Sequence, residues 1–315
     1  MGAVIYETDT QRDKRDVTHY PSKDVRFESL TRGPIWDSYK FTAYNPAGMD
    51  GRNLSVELQV FHTAKQLRMV YCLNKKQVTT PEAVYVSMPF ELPDGKIYFD
   101  VPGGNVNAGV DQIKGSANDW NMVQNFASVR NNDAQIVLVS DEAPLMQFGG
   151  FNSFRMQAGA TPQTTHIYSW PMNNYWMTNF NADQHGEFEW TYNITSTKDN
   201  SLEYATRFAW NNRLPILARV IRAGVPSKTD VKIINTPILK LDPSTVLLVN
   251  MEDVPGENAL ILHVREIEGK AGKLDVSTAF RPGLKVAPCS VNGTPLAGET
   301  LDIKPWETKF VRISW

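Results

Sequence analysis

Leu54-Ser55-Val56-Glu57-Leu58-Gln59-Val60-Phe61 alternates apolar and polar side chains over eight positions. A period of two sends successive side chains to opposite faces, so this stretch reads as a strand with one buried face. The same texture continues on both sides of it. Residues 67–73 and 83–90 read as two more strands, the latter ended by Pro89 and the Pro93-Asp94-Gly95 turn. Residues 96–101 return as the next strand and stop at Pro102-Gly103-Gly104. Residues 121–129 and 135–140 flank Asn131-Asn132-Asp133, a hairpin turn. Residues 187–195 alternate again, with Glu187, Glu189 and Thr191 on one face and Phe188, Trp190 and Tyr192 on the other. Many short strands divided by turn signals argue for a β-sandwich over an α/β fold. The one helical pattern is 200–211, with Leu202, Ala205, Phe208 and Ala209 at helical spacing and Pro215 beyond.

Beyond about residue 240 the strands belong to a smaller β unit: 246–250, 259–266, 273–277 and 310–315. A boundary near Asp242-Pro243 divides the chain into a large β domain, 1–240, and a small one, 241–315. The first fifty residues are polar over 8–24, which reads as a surface excursion or a ragged start. Residues 25–28 and 36–44 read as early strands with no evident upstream partner.

The chain has 315 residues, 42% hydrophobic and 21% charged, with a net charge of −2. That balance excludes a cationic nucleic-acid surface. No apolar run approaches the length of a membrane-spanning helix. The first residues lack the basic and apolar regions of a signal peptide, and the compartment stays open. Cys72 and Cys289, far apart in sequence, read as two buried free thiols.

Residues 170–186, Trp-Pro-Met-Asn-Asn-Tyr-Trp-Met-Thr-Asn-Phe-Asn-Ala-Asp-Gln-His-Gly, combine aromatic rings with neutral amides and no Lys or Arg. They read as an ordered loop. Ring faces cover the C–H patches of a sugar and amides pair with its hydroxyls; the alternative is a loop whose amides satisfy their own backbone. Catalytic patterns are otherwise missing: no His-x-x-x-His, Gly-x-Ser-x-Gly, P-loop or Gly-x-Gly-x-x-Gly occurs. Asp183 and His185 form one close carboxylate–imidazole pair, which needs a third ligand such as His166 to hold a metal. Glu187 and Glu189 lie side by side on a strand, where a glycosidase needs carboxyl groups facing each other across a sugar.

Four stretches in order carry a resemblance. Asn74-Lys75-Lys76 with Pro81-Glu-Ala-Val-Tyr-Val-Ser-Met-Pro-Phe90, Asp111-Gln-Ile-Lys-Gly-Ser116, Ser140-Asp-Glu-Ala-Pro-Leu145 and Asn173-Asn-Tyr-Trp176 with Thr178-Asn179 resemble glycoside hydrolase family 38, the α-mannosidases. Glu142 is inserted into that family's Asp-Ala-Pro-Leu tetrad. The closing Lys304-Pro-Trp-Glu307 is similar to the family's terminal strand. The resemblance implies an all-β fold: a large antiparallel supersandwich of galactose-mutarotase type followed by a small C-terminal β-sandwich. It places the chain in the C-terminal half of such an enzyme, without the catalytic domain whose His-x-Asp pair, further His and nucleophilic Asp hold zinc. No His-x-Asp occurs here, so the implied catalytic residues and metal ligands in this chain are none and it carries no cofactor of its own. Whether the chain is itself an enzyme stays open.

The implied role is to support the catalytic domain and to complete its carbohydrate pocket, with Asn173, Asn174, Tyr175, Trp176, Asn179 and Gln184 as substrate-binding residues. The expected partners are that domain and a mannoside or glycan, with neither nucleic acid nor membrane. Exposed aromatics at that face would also promote a homo-oligomer. The alternative is a stand-alone carbohydrate-binding or mutarotase-like module.

Overall fold

The computed structural model describes residues 2–9, 16–151, 161–175, 181–214, 216–217, 239–278 and 283–315. They divide into two compact units, Met1–Asn200 with Tyr204–Arg213, and Ser201–Glu203 with Leu214–Trp315.

In the first unit the strands run Val4–Asp9 (β1), Val17–Pro21 (β2), Lys23–Arg32 (β3), Trp36–Tyr44 (β4) and Leu54–Phe61 (β5). Leu67–Lys75 (β6), Glu82–Met88 (β7), Lys96–Val101 (β8), Gly104–Asn107 (β9) and Asn121–Met122 (β10) follow. Ala127–Arg130 (β11), Gln135–Ser140 (β12), Leu145–Phe148 (β13), Ile167–Asn173 (β14) and Gly186–Thr197 (β15) complete it. They form a six-stranded sheet, β10-β13-β14-β7-β1-β2, and a nine-stranded sheet, β3-β4-β5-β6-β15-β12-β11-β8-β9. Each pairing is antiparallel. This is the large antiparallel supersandwich, and its core is what the period-two stretches predict. Leu54 and Leu58 of β5, Met69, Tyr71 and Leu73 of β6, Val84 and Val86 of β7 and Trp190 and Tyr192 of β15 pack into one buried cluster. Burying a side chain of this size contributes roughly 1.5–3 kcal/mol.

The described residues 16–24 lie on the surface apart from a half-buried Ser22, as a surface excursion would, but they include an ordered strand and are no ragged start. Strands β1 and β2 form a hairpin that sits beside β7, with Val4 and Tyr6 in the core and Glu7 and Asp9 buried. Strands β3 and β4 pair with each other and β4 also with β5, so among the described residues the early strands have no partner upstream of β3, as expected. Residues 121–129 are not one strand: β10 joins one sheet and β11 the other. The Asp100 carboxylate accepts from the amides of Asn125 (2.7 Å) and Phe126 (2.9 Å) and takes the chain across between them. The Asn131 turn is as expected, its Oδ1 accepting from the amides of Asp133 and Ala134.

The helix, α1, spans Leu202–Arg213, two residues later than its pattern predicts, and buries Leu202, Ala205 and Ala209. Pro215 lies outside the described residues.

The second unit holds Lys240–Asp242 (β16), Val246–Asp253 (β17), Ala259–Glu266 (β18), Gly272–Lys273 (β19), Asp275–Ser277 (β20), Lys285–Cys289 (β21), Asp302–Ile303 (β22) and Thr308–Ser314 (β23). Its main sheet is β17-β18-β23-β21, over a core of Val246, Leu262, Val264, Leu274, Val311 and Ile313. The buried Glu266 carboxylate accepts from the amides of Glu268 (2.8 Å), Gly269 (2.7 Å) and Trp306 (3.0 Å), tying the Lys304–Glu307 turn to β18. Gly269 has φ +76°, and a Cβ there would lie 2.8 Å from the Trp306 ring, so only glycine fits. Among the described residues no helix is long and apolar enough to cross a membrane. Both cysteines are free thiols; Cys289 is buried, whereas Cys72 is half-exposed, against expectation. Its position on the polar face of β6, with Sγ 3.4 Å from Glu189, accounts for that.

Candidate functional site

The aromatic, amide-rich stretch begins inside a strand, not a loop. Trp170–Asn173 belong to β14, paired with β7, and Gly186 opens β15. Pro171 has no N–H to give the ladder, and the register shifts between Ser169 and Met172. The shift lets Ile167 and Met172 both reach the core while Trp170 turns to the other face of the six-stranded sheet.

On that face Ala83, Tyr85, Trp170 and Tyr175 form a second buried cluster, edged by Trp120, Leu145, Phe151 and Tyr168. Tyr85 stacks on Trp170 at 5.8 Å between centroids. At its centre lies Glu7, 2% exposed. Its carboxylate accepts from the hydroxyls of Tyr85 (3.1 Å) and Tyr175 and meets His19 Nε2 at 2.5 Å. Gln147 Nε2 donates to the Tyr85 hydroxyl at 3.2 Å. A column of rings leads outward: His19 on Phe151 (4.2 Å), Phe151 on Tyr168 (4.1 Å), Tyr168 on His166 (4.1 Å). His166 Nε2 sits 2.7 Å from Ser87 Oγ, and burial pushes its pKa down, which keeps the ring neutral.

The six expected binding residues part company here. Asn174 is buried, and its side chain is spent on backbone. Oδ1 accepts from Glu82 N (2.6 Å) while Nδ2 points at the carbonyls of Val78 (3.2 Å), Thr80 (3.0 Å) and Ala182 (2.9 Å). Tyr175 is 5% exposed, its ring against Trp170 and its hydroxyl on Glu7. Asn173 ends β14 half-buried, its Oδ1 atom buried and without a hydrogen-bond partner among the described residues. Gln184 is exposed. Trp176 and Asn179 lie outside the described residues.

Around this rim Gln77 Nε2 donates to Asp183 Oδ2 (2.6 Å), and Asp183 Oδ1 meets His185 Nδ1 (3.2 Å). These two hydrogen bonds hold the Asp183 carboxyl below its usual range. Beneath the rim Lys75 Nζ pairs with Glu82 Oε1 at 2.7 Å, both buried. Burial pushes the Lys75 ammonium pKa down and the Glu82 carboxyl pKa up, each toward its neutral form. Sequence reading missed Glu7, Tyr85 and Gln147, because apolar and polar residues do not separate by face in Val4–Asp9 and nothing local marks its carboxylate.

Among the described residues no group of three or more His, Cys, Asp or Glu could hold a metal ion. The described residues therefore offer no zinc site. The rim can donate and accept hydrogen bonds, but it does not set two carboxyl groups across a cleft.

An α-mannosidase from Enterococcus faecalis V583 superposes on the chain with a TM-score of 0.72 at 12% identity, covering 99% of this chain and 38% of its own. A glycosyl hydrolase family 38 protein from Enterococcus faecalis superposes with a TM-score of 0.73, also at 12% identity, covering 99% of this chain and 40% of its own. The fold is that of the C-terminal region of family 38 α-mannosidases. The chain spans about two fifths of the length of these two proteins. No protein-family model and no curated protein matches it by sequence.

Within the family 38 C-terminal fold the resembling motifs are internal braces. Asp111 Oδ2 accepts from Asn107 N (2.8 Å), and Gln112 bonds Gly109 N (2.8 Å) and Asn121 Oδ1 (2.9 Å). The inserted Glu142 accepts from Thr191 N at 2.8 Å, joining its hairpin to β15.

Proposed function

We propose that this chain is the non-catalytic β region of an α-mannosidase-type glycoside hydrolase. In this reading it supports a separate catalytic domain and offers residues 173–185 as one wall of a carbohydrate site. The observation that carries the reading is a fold match over 99% of the chain to proteins more than twice as long. Fold alone does not assign chemistry, so the reading also rests on what the rim offers.

Asn174 and Tyr175 are the positioning residues: Asn174 ties the start of the rim to β7 and to Ala182 O near its end, and Tyr175 ties the start to Glu7. The exposed Gln184 amide is the hydrogen-bonding group within reach of a ligand, with Asn173, Trp176 and Asn179 as the further proposed contacts. The acid, the nucleophile and the zinc would come from the catalytic domain.

The test is hydrolysis of an aryl α-mannoside by this chain alone, with and without added zinc. The expected result is no turnover above the uncatalysed rate in either case. Turnover that survives a chelator would overturn the reading and make the chain a complete enzyme.

A further inference from the structure

The nine-stranded sheet carries its apolar face further than the six-stranded sheet covers. Along β3 and β4 the rings of Phe27 and Phe41 meet edge-on at 5.6 Å, and Phe41 packs on the core. Yet Phe27 is 57% exposed and its neighbour Val25 65% exposed. Behind Val25 lies a cavity of about 430 Å³ whose walls include Val4, Phe41, Ala43, Val56 and Leu58.

The polar atoms bordering this cavity decide what it can hold. Tyr71 donates its hydroxyl to Gly2 O (2.9 Å). Ser22 Oγ donates to Val4 O (2.8 Å) and accepts from Asn45 Nδ2 (2.9 Å). Thr42 Oγ1 donates to Glu28 and accepts from Arg52 Nε (2.7 Å), while Thr42 O accepts from Arg52 Nη2 (2.6 Å). Ala3 O accepts from Ser87 N (3.0 Å). Every one of these groups is spent inside the protein. A sugar or a peptide entering the cavity would leave its own hydrogen-bonding groups unpaired, at a cost of about 1–3 kcal/mol each.

A hydrocarbon has no such groups. An apolar cavity of about 150 Å³ takes up benzene, and this one, open past Val25, has room for a longer hydrocarbon. Val25, Phe27, Leu30 and Val60 stand exposed on this face, but the sheet face of a second copy would cap the opening without reaching into the space behind Val25. Nor is β3 a clean template for strand pairing. Its register slips twice, between Lys23 and Arg26 and between Phe27 and Ser29, and such bulges turn an edge away from a partner.

We infer that this cavity is a binding site for an alkyl chain, entered past Val25 and Phe27. It is separate from the rim at residues 173–185 and does not depend on the role proposed for it. The test is titration of the full chain with N-phenylnaphthylamine, which brightens in apolar surroundings, followed by displacement with dodecanoate. The expected result is saturable brightening, displaced by dodecanoate and untouched by methyl mannoside. Val56→Phe and Ala43→Leu, two independent ways to fill the cavity, should each weaken binding by about tenfold or more. Thermal melts identify which variant is folded. Absence of saturable brightening would overturn the inference, as would displacement by mannoside. So would unchanged binding in a folded filled variant, or binding that falls as chain concentration rises, the mark of a second copy covering the face.

Discussion

Replacing Lys75 with Met is expected to destabilise the large unit by about 3–5 kcal/mol, the largest loss expected from any single polar substitution at the rim. Lys75 is 1% exposed, and its ammonium has two partners, Glu82 Oε1 and Lys76 O, both at 2.7 Å. Removing it leaves the Glu82 carboxyl buried without a counter-charge, on the strand that also receives Asn174. Neutralising both ends is a different experiment. Lys75→Met with Glu82→Gln removes both charges, and that double variant should recover most of the loss. The check is the urea midpoint of the single and double variants at unchanged m-value. A single variant within about 1 kcal/mol of the parent would show that the pair is not load-carrying in the fold.

Asn174→Ala is expected to cost about 2–4 kcal/mol, because it leaves a buried amide and several carbonyls without their partner. One side chain ties Glu82 N, Val78 O and Thr80 O to Ala182 O, and so closes the rim on itself. For a unit of this size the melting temperature should fall by roughly 5–12 °C. Gln184→Ala, a truncation of an exposed amide, should leave it within about 2 °C. The contrast separates a residue that builds the rim from one that faces outward. Equal shifts for the two variants would contradict that division.

Much of the fold was legible because period-two alternation reports burial directly. Leu54–Phe61, Lys96–Val101, Gln135–Ser140 and Ala259–Glu266 are strands with the bounds their patterns predict. Val4–Asp9 was not legible as a central strand, since both its faces are buried and its polar members point into a polar cluster. Alternation carries no signal in that situation. The break inside residues 121–129 was hidden for another reason: it is imposed by Asp100, distant in sequence.

The site was only partly legible. Composition picked out residues 170–186, and Trp170, Asn174 and Tyr175 do cluster with residues from β1 and β7. What composition could not say is which way each side chain turns. Pro171 and the register shift beside it send Trp170 to the outer face of its sheet, and the carbonyls of residues 78–80 claim the Asn174 amide. An amide that binds sugar and an amide that binds backbone look the same in sequence.

As one wall of a shared carbohydrate site, the proposed rim is incomplete in this chain alone. Titration of the chain with methyl α-mannoside, followed by tryptophan fluorescence, tests it most directly. No saturation is expected up to about 10 mM, since one wall supplies too few contacts to offset the cost of ordering a ligand. Saturable binding at about 1 mM or tighter, lost in Trp176→Ala with the fold intact, would contradict it and make the chain a self-sufficient carbohydrate-binding module.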